Sequence, residues 1–156
     1  VEAALGAAVL KNLFVQGAQA DRLWLQFAYT LNDFRFDRDA TFGDNLLPGA
    51  PRHVVRAELL YKHPAGFYLG PNIEWVPESY FVDSANALKT EPYAIWGLKA
   101  GYDDGSRFSA YVEGRNLGNR QYIASASIID RATSTMPLFE PGAGRAIYGG
   151  MRIRFE

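Results

Sequence analysis

Over most of the chain, apolar and polar residues alternate with a period of two, and the charges keep to one of the two classes. Leu23, Leu25, Phe27, Tyr29 and Leu31 alternate with Trp24, Gln26, Ala28 and Thr30. Val55, Ala57, Leu59 and Tyr61 interleave with Arg56, Glu58 and Leu60. The same rhythm runs through Phe67–Trp75, Ala94–Tyr102, Phe108–Arg115 and Ile147–Phe155, and less clearly through Val1–Leu10. Successive side chains on a strand point to opposite faces, so each run reads as a two-faced strand. The ionisable residues inside the runs are Glu2, Arg56, Glu58, Glu74, Lys99, Glu113, Arg115, Arg152 and Arg154. Each stands opposite the apolar ladder of its own strand. One face is therefore free of charge across about seven strands.

The longest apolar run, Ala3 to Leu10, is far short of the about 20 residues that a membrane helix needs. A membrane strand needs only about 9–11, so spanning by strands stays open. A formal net charge of -1 gives no basic excess for nucleic acid. The absence of cysteine removes disulfide scaffolds, thiolate zinc sites and Cys nucleophiles. Two histidines, His53 and His63, argue against a His-rich metal centre. Period alone leaves three architectures: a barrel segment in lipid, a complete eight-stranded outer-membrane barrel, and a soluble lipocalin-like binder with its apolar face inward.

Three features favour lipid. First, residues 62–66 and 103–107 are short turns, whereas 37–51, 77–91 and about 119–143 are long loops. Counting strands up and down puts the short turns at one end and the long loops at the other, as in outer-membrane barrels. Second, Tyr61, Phe67, Tyr102, Phe108 and Phe155 sit at short-turn strand ends on the apolar face, which reads as an aromatic girdle. Third, nine charges on one face exceed what a small soluble barrel core accommodates. Pro51, Tyr61 and Phe67 recur as Pro92, Tyr102 and Phe108, one hairpin and one long loop further on. Residues 11–22 fit less well, being long for the short-turn end.

Catalytic and metal patterns are sparse. Arg56/Glu58 and Glu113/Arg115 are spaced two apart on single strand faces, as an ion network on a polar wall requires. Asp33, Asp37, Asp39 and Asp44 gather near the first long loop without the spacing of a calcium loop. Ser125, Ser127 and Ser134 lack a G-x-S-x-G setting. Gly142 and Gly144 precede a strand rather than a helix, which excludes a phosphate-binding loop.

Four segments resemble one family. Phe27–Phe36 followed by Leu47-Pro-Gly-Ala-Pro-Arg-His53 resembles the late-barrel "YTYxDxxF … PxxPRH" pattern of TonB-dependent outer-membrane receptors. Val112-Glu-Gly-Arg-Asn-Leu117 with Arg120-Gln-Tyr122 resembles their "NLFDxxY" strand end, without its Phe and Asp. Phe139–Arg145 and Tyr148–Phe155 resemble their terminal "PGxGR…GxRxxF" stretch, although Glu156 follows the final aromatic.

The resemblance implies an all-β, antiparallel transmembrane β-barrel segment over residues 1–156. It corresponds to the C-terminal third of a barrel of about 22 strands, with the plug domain and TonB box expected to be absent. Alone, such a segment is expected to form a curved open sheet. Arg56, Glu58, Glu74, Lys99, Glu113, Arg115, Arg152 and Arg154 are then expected to face the lumen. The implied location is the bacterial outer membrane and the implied partners are lipid and the TonB energy-coupling system. The implied ligand is a ferric siderophore, with cobalamin, haem and carbohydrate as rivals. Arg131, Arg145 and Tyr122, with Phe139 and Tyr80, are the loop residues suited to an anionic chelate. The resemblance implies no enzyme activity and no cofactor.

Overall fold

The computed structural model describes residues 1–133 and 135–155, so Ser134 and Glu156 lie outside the described residues. Seven strands form one antiparallel sheet: β1 (Glu2–Lys11), β2 (Arg22–Leu31), β3 (His53–Lys62), β4 (Phe67–Val76), β5 (Tyr93–Asp103), β6 (Phe108–Arg115) and β9 (Ala146–Ile153). Their spatial order follows the chain, with β9 beside β6, and the sheet is open between β1 and β9. Two further strands, β7 (Ile123–Ala126) and β8 (Phe139–Pro141), pair only with each other. They build a ribbon inside the stretch expected to be plain loop. No helix occurs among the described residues.

The register aligns the ladders across the sheet. Leu25 faces Leu59, Phe27 faces Ala57, and Ile73 stands between Ala57 and Trp96. Arg56 lies opposite Glu74, and Lys99 opposite Glu113, on the other side. A one-residue slip would exchange the two faces, so the pattern itself specifies the pairing. In β1 the register shifts between Ala8 and Leu10. Strict alternation would carry Lys11 into the apolar ladder. The irregularity at Val9 restores Leu10 to that ladder opposite Leu23 and puts Lys11 opposite Arg22. Before the shift, residues 2–8 pair in strict register and alternate weakly because Ala4, Gly6 and Ala8 fill the polar class.

Tight turns join β3 to β4 and β5 to β6. Gly66 and Gly105 have φ of 98° and 76°, the left-handed region that glycine enters without a Cβ penalty. Phe67 packs on Tyr102 at 4.8 Å between ring centroids, and Tyr102 approaches Phe108 at 6.2 Å, giving a continuous aromatic row above both turns.

The β1–β2 connection is an ordered turn rather than a frayed end. Asp21 is fully buried and accepts the N–H groups of Leu13 and Phe14 at 2.7 and 2.8 Å and the Tyr61 hydroxyl at 2.8 Å. Burial works to raise its pKa, but these bonds outweigh it and hold the carboxyl below its ordinary range.

Candidate functional site: the charged face and the long-loop cluster

The charged face is an interlocked array. Arg56 Nε donates to Glu74 Oε2 at 2.8 Å, and Lys99 Nζ to Glu58 Oε2 at 3.4 Å. Arg115 approaches Glu113 at 3.6 Å, and Asn72 Nδ2 donates to the same carboxylate at 3.3 Å. A cavity of about 620 Å³ lies over this array, lined by Gln26, Arg56, Glu58, Asn72, Lys99 and Glu113 among others. Its groups alternate in sign and share hydrogen bonds. It therefore presents a polar, near-neutral wall.

Exposure is inverted relative to a water-soluble protein. The carboxylate side chains of Glu58 and Glu74 are 18% and 19% exposed. Leu98, Trp96 and Met151, on the opposite face, are 45%, 53% and 76% exposed. The acids lie beneath their cationic partners, with Arg56 and Arg115 at 61% and 52%, while large apolar groups are presented over several strands, a patch larger than a water-soluble monomer carries.

Leu60, Val76 and Ile95 are buried on the sheet itself, and a separate buried cluster lies outside it. Val82, Ala132 and Leu138 are buried together, with Leu88, Ala126 and Ile129 packed against them. All three long loops, residues 32–52, 77–92 and 116–145, are joined there. Asn86 exchanges bonds with the backbone of Leu46, accepting its N–H at 2.9 Å and donating to its carbonyl at 2.8 Å. Ser84 and Ala85 donate to the carbonyls of Ile129 and Asp130. The fully buried Asp83 accepts the N–H groups of Ala87, Leu88 and Ala132.

The third loop is closed at its neck by Asn116. Its Nδ2 donates to the carbonyls of Arg120 and Ala143, and its Oδ1 accepts the Arg120 N–H. From that neck, Tyr122 stacks on Tyr93 at 4.6 Å, and the Tyr93 hydroxyl donates to Glu74 Oε1 at 3.0 Å. Loop and charged face are thus physically continuous.

The molecule is thus an open antiparallel sheet with one uncharged face, long loops at one end and short turns at the other. The family model of the TonB dependent receptor-like β-barrel matches residues 1–117. The chain belongs to this family. TonB-dependent receptors reside in the bacterial outer membrane and act there as receptors and transporters, so the strands of this sheet are membrane-spanning. The match ends at Leu117, where the third loop begins. Beyond it, β9 continues the receptor sheet by pairing along the whole of β6, from Phe108↔Ile153 to Arg115↔Ala146.

Within this receptor sheet, Arg56, Glu58, Glu74, Lys99, Glu113 and Arg115 come together on one face. Arg152, opposite Ser109, shares it near the short turns, and Arg154 lies past the end of β9, donating to the Ser106 carbonyl at 3.3 Å. The loop candidates do not converge. Arg145 Nε is held by the Leu117 carbonyl at 3.1 Å, and Tyr122 lies half-buried on Tyr93. Tyr80 is buried, whereas Arg131 is exposed. Tyr122 and Phe139 border a small cavity of about 260 Å³ with Arg120, which neither Arg131 nor Arg145 lines.

The aspartates of the first loop act locally: Asp39 accepts the Thr41 and Phe42 N–H groups, Asp44 accepts that of Arg38, and Asp33 pairs with Arg35 and Arg52. Sequence reading missed Asp83 and Asn116 as organisers, although Asn116 lies within the Val112–Leu117 motif. Tyr93→Phe is expected to destabilise the membrane-embedded protein by about 1.5 kcal/mol, because it removes a hydrogen bond to a sheltered carboxylate and keeps the ring stack. Urea titration in lipid checks this; an unchanged midpoint would dismiss the Tyr93–Glu74 link.

Proposed function

We propose that these strands are one arc of a receptor barrel that takes up a scarce, anionic metal chelate of the ferric-siderophore type, driven by TonB. The charged face lines the lumen and the uncharged face meets lipid. The long loops face the exterior and the short turns the periplasm. The reading rests above all on the inverted exposure, sheltered carboxylates against presented leucine, tryptophan and methionine. Residues 1–156 supply wall and loops. In lipid, unpaired strand edges cost several kcal/mol per backbone group, so β1 and β9 need neighbouring strands of the same barrel. The plug that gates the lumen and the segment that contacts TonB belong to other parts of such a receptor.

Lumen-facing roles fall to Arg56, Glu58, Glu74, Lys99, Glu113, Arg115, Arg152 and Arg154. Among the loop candidates, Arg131, Arg145 and Phe139 are exposed, and Arg131 is the one of the two arginines whose guanidinium is not held by the Leu117 carbonyl. Arg145 and Tyr122 serve the loop's own geometry and act on ligand through it. A transport role breaks no bond and calls for no catalytic group or cofactor.

Uptake of radiolabelled iron presented as a siderophore, by iron-starved cells carrying the receptor, tests the ligand class. Uptake that persists after the proton-motive force is collapsed would reject TonB-driven transport. No uptake of any ferric chelate, with uptake of cobalamin or an oligosaccharide, would reject the siderophore class. Orientation has its own measurement. Cysteines at Thr41 and Arg131 are expected to react with an impermeant maleimide on intact cells, and a cysteine at Ser106 is not. Labelling at Ser106 alone would invert the topology.

A further inference from the structure

Charges that oppose one another directly on the charged face are of opposite sign at Arg56↔Glu74 and Lys99↔Glu113. One row departs from this. Lys11 stands opposite Arg22, and Arg22 opposite Lys62, so three cations occupy consecutive strands in a single hydrogen-bonded row. Lys11 reaches that row only through the register shift in β1. Like charges placed directly opposite destabilise a sheet.

The surroundings offset the row only in part. Its next members are Tyr68 and Gly101. Arg22 and Lys62 both lie over the Trp24 ring, at 5.8 and 5.2 Å from its centroid, and a ring face offsets only part of a full charge. Asp21 adjoins Arg22 in sequence, but its oxygens are taken by Leu13, Phe14 and Tyr61. A cavity of about 710 Å³ opens over Arg22, Lys62 and Lys99, and Lys11 stands outside its lining, one strand beyond Arg22. Two carboxylates also line it against these three cations: Glu58, which pairs with Lys99 at 3.4 Å, and Asp103, which accepts the Gly105 N–H at 2.8 Å. Trp24 Nε1 is buried and has no acceptor among the described residues.

We propose that Lys11, Arg22 and Lys62 form an anion-binding rung at the short-turn end of the charged face, recognising clustered anionic oxygens. Two sources share that chemistry: acidic side chains of a polypeptide seated in the lumen, and a free oxyanion such as phosphate. Charge complementarity selects an anion, and the cavity has room for more than one carboxylate or phosphate group. The inference rests on the reading that this face lines the lumen.

The test uses the intact receptor barrel in phosphatidylcholine nanodiscs, with Trp75, Trp96 and every tryptophan outside residues 1–156 replaced by Phe, so that Trp24 is the sole indole. Inorganic phosphate and a penta-glutamate peptide are titrated separately against its fluorescence. A saturable response to either is expected, weakened at least tenfold by Lys62→Gln and less than twofold by Arg152→Gln, a cation outside the row. The responding ligand identifies the source. Arg22→Gln is the parallel variant should Lys62→Gln fail to insert. Without anion, neutralising either residue is expected to raise the urea midpoint, because it relieves repulsion. No saturable response to either ligand, equal weakening by Arg152→Gln, or a lowered midpoint would overturn the rung. Brominated lipid separates this failure from that of the underlying reading. If the face lines a lumen, Trp24 is not quenched; quenching of Trp24 would reject the face assignment itself.

Discussion

Leu98→Arg in the bilayer-embedded receptor is expected to lower folding stability by about 2–4 kcal/mol, the cost of a cation on the lipid face near the midplane. Glu58→Gln, on the opposite face, is expected to cost less than about 1 kcal/mol. Leu98 is at the middle of β5 between Pro71 and Gly114, and 45% of it is exposed. With no bulky partner on either side, an arginine there would point into hydrocarbon from the position furthest from both headgroup layers. Loss of the Glu58 charge leaves Lys99 still opposite Glu113, so no cation is stranded. Urea titrations of the protein folded into phosphatidylcholine vesicles measure both. Equal costs, or a larger one for Glu58→Gln, would reverse the faces. A soluble barrel with Leu98 in its core would also resist arginine there, but it would unfold cooperatively in water without lipid. The pair of titrations, in vesicles and in buffer, therefore separates lipid from protein as the apolar environment.

The sheet was legible because period-two alternation is a local signal and the charges mark its phase. Arg56, Glu58, Glu74, Lys99 and Glu113 each name their face without knowledge of any partner, and the register follows once the faces must match. The aromatic row was legible for the same reason, since Phe67, Tyr102 and Phe108 flank turns that can be found from their glycines. The Lys11 row was hidden by the irregularity at Val9, which changes phase inside a strand and leaves no composition signal. The loop cluster was hidden for a different reason. Val82, Ala132 and Leu138 come from two segments about fifty residues apart and obey no period. A buried Asp83 looks in sequence like any solvated loop carboxylate. Arg145 and Tyr122 were singled out by residue type, and type does not reveal that the Leu117 carbonyl and the Tyr93 ring already engage them.

Asp83→Ala is expected to release the long-loop cluster while leaving the sheet intact. Asp83 Oδ1 accepts the N–H groups of Ala87 and Leu88 at 2.9 and 3.0 Å, and Oδ2 accepts that of Ala132 at 2.9 Å. The first two close the second loop on itself; the third ties it to the third loop across the Val82–Ala132–Leu138 core. Alanine strands these donors in a site that the surrounding loops bury completely. One unsatisfied buried group costs about 1–3 kcal/mol, and partial relaxation of three brings the local cost to about 3 kcal/mol. Amide exchange at Leu88 and Ala132 should then quicken by about 100-fold, with the amides of β3 to β5 unchanged. The same carboxylate gives the cluster its acid limit. Burial alone would raise the Asp83 pKa, but the backbone hydrogen bonds outweigh it and hold the folded value below the ordinary 3.8. A depressed folded pKa contributes stability that is complete above the unfolded value and lost as pH falls through the folded one. Protection at Ala132 is therefore expected to be flat from pH 7 to 5 and to decline only below about pH 4. Asp83→Asn removes that decline while retaining one acceptor, so its protection should be lower at pH 7 yet insensitive to acid. Unaltered exchange at Ala132 in Asp83→Ala would show that apolar packing alone holds the loops together.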